Sequence, residues 1–275
     1  MAGGVDTAIM LWETCCIPSL MHGAGTWVEM NNKTEKQLNK IQNWFARLIW
    51  RVGQGAPVSS LLWDLQLLDM KIRVFKQKIL MVLHLRSLDD SSLANKTYEE
   101  QKQKNWPGLA AETETICKQL GIEDCNSSNL SKRDYLVLLD QACHEKNEEM
   151  LRSSASGTKC ARIKTEAYGR KSYIANTTIQ ESRKWYKTRF CLNDFAGNYS
   201  NDMKFAKSNW LCRCKTDQEE EGHFVSGTCE AYEDLRSQFG DLGEDENLVK
   251  YFQAVLDRRD KLEDEDRTRQ SVTAA

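Results

Sequence analysis

The chain has 275 residues, 40% hydrophobic and 28% charged, with a formal net charge of -2. These proportions fit a globular protein with a real core and exclude a disordered low-complexity chain. No stretch approaches the roughly 18–20 uninterrupted apolar residues of a membrane span, so no membrane partner is expected.

Residues 1–30 are apolar and rich in turn formers, with Pro18 and the Gly23-Ala24-Gly25 step before Trp27. There is no basic n-region and Glu13 breaks the apolar run, which argues against a signal peptide. Thr34 is placed to cap a helix in which Leu38, Ile41, Phe45, Leu48 and Val52 recur at three- and four-residue steps and share one face. Gly53, Gly55 and Pro57 end it. A short apolar piece at 58–68 precedes a strong helix over about 69–88, where Ile72, Phe75, Ile79 and Val82 line one face and Val74, Met81 and Leu85 widen it. An apolar arc that wide belongs at the centre of a bundle. Residues 89–108 are polar and read as a connection; a short helix near 109–120 is closed by Gly121. Ser131-Lys132-Arg133-Asp134 resembles a capping box for a helix to about Leu151. Ser153 to Gly157 reads as a linker, and Leu248, Tyr251, Phe252, Val255 and Leu256 mark a last amphipathic helix. Residues 261–275 read as a frayed tail. With only 3 prolines and 15 glycines, and weak strand signals throughout, the fold class is mainly α.

Charge is segregated along this chain. Between Lys159 and Arg189 nine basic residues (Lys159, Arg162, Lys164, Arg170, Lys171, Arg183, Lys184, Lys187 and Arg189) face only Glu166 and Glu181. Beyond Cys214 acidic runs dominate, at 219–221, 244–246 and 263–266. Lys and Arg neutralise phosphates, and the interleaved Tyr168, Tyr173, Trp185 and Tyr186 would suit stacking on unpaired bases. The same pattern also describes a solvated helix face with its aromatics packed inward, and both readings stand at this stage.

Ten cysteines without a secretion signal point to a reducing, intracellular setting, cytoplasmic or nuclear. Cys212, Cys214, His223 and Cys229 have the spacing C-x-C-x8-H-x5-C. Three thiolates and an imidazole are ligands that tetrahedral zinc prefers, and four protein ligands make a structural rather than a catalytic site. Such an ion would replace a core that this acidic stretch is not expected to build, and the acidic run between the ligands would raise cation affinity. The alternative is two buried thiols beside a surface histidine; Cys191 is a substitute ligand. Cys15-Cys16, Cys117, Cys125, Cys143 and Cys160 show no ligand-like spacing and read as buried thiols. Catalytic constellations are mostly absent from the sequence, and an independent enzyme is the weakest reading. Asp89-Asp90 lies at a helix end without a third carboxylate, and there is no phosphate-cradling glycine loop.

Three ordered segments resemble the region after the palm in non-LTR (LINE-type) retrotransposon reverse transcriptases. The first runs Ile17-Pro18 to His22-Gly23-Ala24-Gly25-Thr26-Trp27 and is similar to the family's "YGAETW" segment, followed by a thumb-type helix through Leu38, Gln42, Arg47 and Ile49. The second, Ala56-Pro57 through Leu67-Leu68-Asp69-Met70 to Arg73, resembles "TPxxALxxELGLLPMxxRI". The third, His223-Phe224-Val225 with Cys229 to Arg236, resembles "EHFLxxCPxYxxLR" of the C-terminal zinc knuckle, although Glu230 replaces the proline and the first pair is C-x-C. The resemblance implies a thumb-like helical bundle at 1–152, a basic connector at 153–190, a zinc-knuckle module with a C-terminal helix at 191–260, and a disordered tail at 261–275. It implies binding to the RNA or DNA template-primer backbone beside the other domains of a parent polyprotein. The polymerase's aromatic-x-Asp-Asp turn and the endonuclease have no counterpart here, so the chain reads as a non-enzymatic fragment. A helical interaction module, or a decayed element fragment without activity, is the alternative.

Overall fold

The structure is a computed structural model that describes residues 4–27, 32–126, 128–157, 160–175, 177–193, 195, 211–226, 229–242 and 245–273. Among them the chain is mainly helical, as expected, and the β-structure is one antiparallel bridge between Leu211 and Gln218. It divides into two compact units, 3–49 with 57–171 and 50–56 with 172–275.

The first unit contains α1 (Val5–Leu11), continued through a π turn (Trp12–Cys16) into α2 (Ile17–Leu20), and a 3-10 turn (Ala24–Thr26). It goes on with α3 (Asn32–Trp50, the last residue grouping with the second unit), α4 (Val58–Leu65), α5 (Met70–Arg86), α6 (Leu93–Gln103), α7 (Leu109–Leu120), α8 (Lys132–Ser154) and α9 (Ala161–Thr165). Asp69 caps α5 by accepting from the Lys71 N–H, and Ser131 caps α8 through the Asp134 N–H. Satisfying these otherwise unpaired donors fixes where both helices begin. The wide apolar arc of α5 does run through the core. Ile72, Ile79 and Val82 pack with Tyr98 of α6, Ile116 and Leu120 of α7, and Tyr135 and Leu139 of α8.

Polar groups inside this unit are tied to backbone ends. Asn147 on α8 is fully buried; its carbonyl accepts from the Asp69 N–H at 2.8 Å, and its amide donates to the Leu67 carbonyl at 3.2 Å and the Tyr168 hydroxyl at 2.9 Å. It thereby joins the turn before α5 to α8. Gly25 explains the small residue before Trp27: a Cβ there would lie 3.0 Å from both the Gln77 carbonyl oxygen and the Met81 Cβ of α5.

Three expectations for this unit need correction. Cys15 and Cys16, expected as buried thiols, are exposed, because the π turn that carries them buries Trp12 instead. On α3 the buried residues are Leu38, Gln42, Ala46, Ile49 and Trp50, while Phe45 stacks on Trp12 at 4.2 Å. Ile41 and Leu48 are exposed, together with Trp44 at 63%. The face is rotated because Gln42 goes inside, where its amide donates to the Leu68 carbonyl at 3.1 Å, so hydropathy alone gives the wrong phase. Residues 93–103, expected as connection, form α6: Tyr98 alone provides a deep apolar anchor, too little for a periodic signal, yet it enters the α5–α7–α8 core.

The second unit contains α10 (Ser172–Ala175), α11 (Ile179–Arg189), α12 (Glu221–Val225), a 3-10 turn (Glu230–Tyr232), α13 (Glu233–Arg236) and α14 (Asp245–Thr273). A full capping box starts α11: the Glu181 N–H donates to the Thr178 hydroxyl, and the Thr178 N–H donates to the Glu181 carboxylate at 2.9 Å. α14 continues to Thr273 through the stretch expected to be a disordered tail. No Gly or Pro interrupts it, and in the part nearest the core Arg259 pairs with Glu219 at 2.9 Å and with Asp260. No helix among the described residues is long and apolar enough to cross a membrane.

Candidate metal centre

The loop carrying the first two cysteines is a tight reversal. Leu211 bridges Gln218, the Cys212 N–H donates to the Asp217 carbonyl at 2.9 Å, and the Lys215 N–H donates to the Cys212 carbonyl at 2.8 Å. Lys215 turns the chain in the left-handed region, at φ 62°. The Lys215-to-Cys212 hydrogen bond closes a turn over Arg213 and Cys214, which bends the backbone between the two cysteines. His223 comes from α12, and Cys229 directly precedes the 3-10 turn.

All four side chains converge. Their ligand atoms lie within 4.8 Å of one another, with Cys214 Sγ 3.1 Å from His223 Nε2 and Cys212 Sγ 3.5 Å from Cys229 Sγ. A tetrahedron with metal–sulfur bonds of about 2.3 Å has edges of roughly 3.8 Å, so the group is compact enough to hold a metal ion. His223 Nδ1 lies 4.0 Å from the Asp217 carboxylate. One ring nitrogen thus meets a thiol, while the Asp217 carboxylate stands beyond hydrogen-bond reach of the other. Cys212, His223 and Cys229 are buried and Cys214 is half-buried.

The thiols differ electrostatically. Burial pushes Cys214 up, but hydrogen bonds from the Thr216 side chain and backbone, from Cys212 and from His223 outweigh it and bring the thiol down to about 6. Burial holds Cys212 and Cys229 above the ordinary thiol range. Cys214 is therefore the sulfur closest to the thiolate form a metal requires.

Two expectations about the surroundings are corrected. Phe195, Phe224, Tyr232, Tyr251, Phe252 and Val255 pack against Cys212 and Cys229, so this stretch does build a core, drawing half of it from α14. The acidic run does not serve as a cation attractant throughout: Glu219 pairs with Arg259, and Glu221 accepts from the Asn193 N–H at 3.0 Å.

The described basic candidates divide between the two units. Lys159 lies outside the described residues. Arg162, Lys164, Arg170 and Lys171 belong to the first unit, where Arg170 pairs with Asp6, and Lys171 with Glu166 at 3.1 Å. In the second unit Arg189 is buried, 3.7 Å from Asp245 and over the rings of Tyr173 and Phe190. Arg183, Lys184 and Lys187, by contrast, share one face of α11 and line a cleft with Arg51 and Arg259. The aromatics pack on other rings. Tyr186 is fully buried against Trp50 at 4.2 Å, Trp185 stacks on Tyr173 at 5.8 Å, and Tyr168 packs edge-on to Trp63. Tyr173 and Tyr186 are core residues, while Trp185 and Tyr168 are half-buried.

Comparison with family models, curated proteins and solved structures finds no match for this chain.

The structure also brings together a second group that spacing did not announce. The ligand atoms of Cys117, Asp124 and Cys125 lie within 4.8 Å of one another. The Cys125 side chain hydrogen-bonds Cys117 and, with Tyr135, lowers that thiol against the opposing effect of burial. Seven residues separate the two cysteines, and only the turn after Gly121 at the end of α7 makes them neighbours.

Proposed function

We propose that this chain is a nucleic-acid-binding helical module related to the thumb and knuckle region of LINE-type reverse transcriptases, with zinc as a structural ion at Cys212, Cys214, His223 and Cys229. The observation that carries the reading is the convergence of these three thiols and one imidazole. Zinc suits this donor set, and four protein ligands leave no open position for a reacting water. Its role is to fix the 211–229 chain reversal in the same unit as the cationic face of α11. Arg183, Lys184 and Lys187 then serve sequence-independent contact with phosphates. The ordered motifs at 17–27, 56–73 and 223–236 support the family relation.

Metal analysis of the reduced, purified protein tests the ion: one zinc per chain is expected, lost in Cys229→Ser and in His223→Ala. Fluorescence anisotropy with labelled single-stranded RNA and DNA tests the binding, which should weaken steeply with salt. Absence of zinc, or of any salt-dependent affinity, would overturn the corresponding half of the reading. A second reading, a helical interaction module, is favoured by the exposed Ile41, Trp44 and Leu48 on α3. Binding to a protein through that stripe would persist at high salt and be lost in Trp44→Ser.

A further inference from the structure

α11 and α14 pack together in the second unit, and between them lies a cavity of about 330 Å³. That is near the bottom of the ~300–1,000 Å³ range of ligand pockets, a size for one small group rather than a large cofactor. Its two walls differ chemically. From α11 come Gln180, Arg183, Lys184 and Lys187, at steps that place them along one helix face; Arg51 joins them from the turn after α3. From α14 come Val249, Gln253 and Leu256, an apolar strip with one amide, and then Arg259.

Five cationic side chains and one carboxylate, Asp260, line this space, and Asp260 is engaged by Arg259 at 2.9 Å. Arg259 also pairs with Glu219, so its guanidinium belongs to the wall of the unit. The remaining four cations are gathered from two separate chain segments. Arg51 and Arg183 are close enough that, after burial, the Arg51 charge is what most opposes the charged form of Arg183. A guanidinium stays charged in proteins, so this mutual repulsion is retained. An anion placed between the two would relieve it while accepting bidentate hydrogen bonds.

We infer that the α11–α14 cleft is a phosphate-binding site, which seats one phosphodiester of a nucleic-acid strand against Arg51 and Arg183 with its sugar toward Val249 and Leu256. The inference rests on the nucleic-acid reading above for the polymer, and on the cleft alone for the phosphate. It adds Arg51, outside the basic segment, and excludes Arg189, whose charge is buried elsewhere.

The test uses the full chain, its Arg51→Gln/Arg183→Gln variant, and Lys132→Gln/Arg133→Gln as a charge-matched control at exposed positions of the other unit. Lys184→Gln/Lys187→Gln serves as a second cleft variant should the arginine pair be needed for folding. Tripolyphosphate is titrated by calorimetry and labelled single-stranded RNA by anisotropy across a salt series. The expected result is tripolyphosphate binding in the parent and control and none in the cleft variants. For RNA, loss of the one phosphate contact should reduce the log–log salt slope by about 0.7 and weaken binding at least roughly tenfold. If RNA binds but cleft and control variants weaken it equally, the inference fails while the nucleic-acid reading stands. If tripolyphosphate binds in the cleft and RNA does not bind, the cleft stands and the nucleic-acid reading fails. If neither ligand binds, both fail.

Discussion

Replacing Asn147 with alanine should be the most damaging single polar substitution in the first unit. The side chain is fully buried and its amide reaches three partners: the Asp69 N–H, the Leu67 carbonyl and the Tyr168 hydroxyl. A typical buried hydrogen bond contributes about 1 kcal/mol net, so losing three costs roughly 3 kcal/mol. The true figure should lie at or above that sum, because truncation leaves a backbone donor and a backbone acceptor unpaired inside, each at about 1–3 kcal/mol if no water enters. Asn147→Asp should be no rescue: a carboxylate would face the Leu67 carbonyl, acceptor against acceptor, at a position closed to solvent. Urea unfolding followed by Trp fluorescence reads the change, and at a slope of roughly 2 kcal/mol per M the midpoint should fall by about 1.5 M. Hydrogen exchange at the Asp69 amide gives the local readout, with protection dropping by at least two orders of magnitude. A midpoint within about 0.3 M of the parent, with Asp69 still protected, would refute the argument that this amide pins α5 to α8.

Two further perturbations follow from geometry already given. Gly25→Ala should destabilise by roughly 1–3 kcal/mol, since the added methyl meets the Gln77 carbonyl and the Met81 Cβ of a packed helix that cannot retreat cheaply; an unchanged thermal midpoint would show that α5 can shift. Thr178→Ala removes the cap of α11 and should cost about 1 kcal/mol of helix stability, read by exchange of the first-turn amides. The partner Glu181 makes the same cap sensitive to acid. The Thr178 backbone N–H and hydroxyl hold its carboxyl below the ordinary 4.5. The unfolded chain therefore takes up that proton first, so the stabilisation is complete above pH 4.5 and is lost as pH falls through the lowered folded value. Acid titration of α11 exchange in the parent and in Glu181→Gln, which has no carboxyl to titrate and where the dependence should vanish, checks the sign.

Much of the helical framework was written locally. Asp69, Ser131 and the scarcity of Gly and Pro mark helix starts and long uninterrupted runs, and the broad apolar arc of α5 is visible because hydropathy at helical period reports burial directly. The set Cys212, Cys214, His223 and Cys229 was also legible, because soft ligands grouped within eighteen residues are rare by chance and chemically coherent. What stayed hidden depends on partners distant in the chain. The inward turn of Gln42 requires the Leu68 carbonyl, the burial of Arg189 requires Asp245 and two rings, and the core beside the knuckle requires α14. The basic segment looked continuous from Lys159 to Arg189, yet the chain crosses between two compact units at 171–172, so only the part on α11 lines the cleft with Arg51. The sequence alone determined mainly α architecture and a candidate ligand set, because both are carried by spacing within single segments. Tertiary structure decided which charges face a cleft, which aromatics are core and which thiols meet, because hydrogen bonding, ion pairing and close packing act between segments whose separation along the chain says nothing of their distance in space.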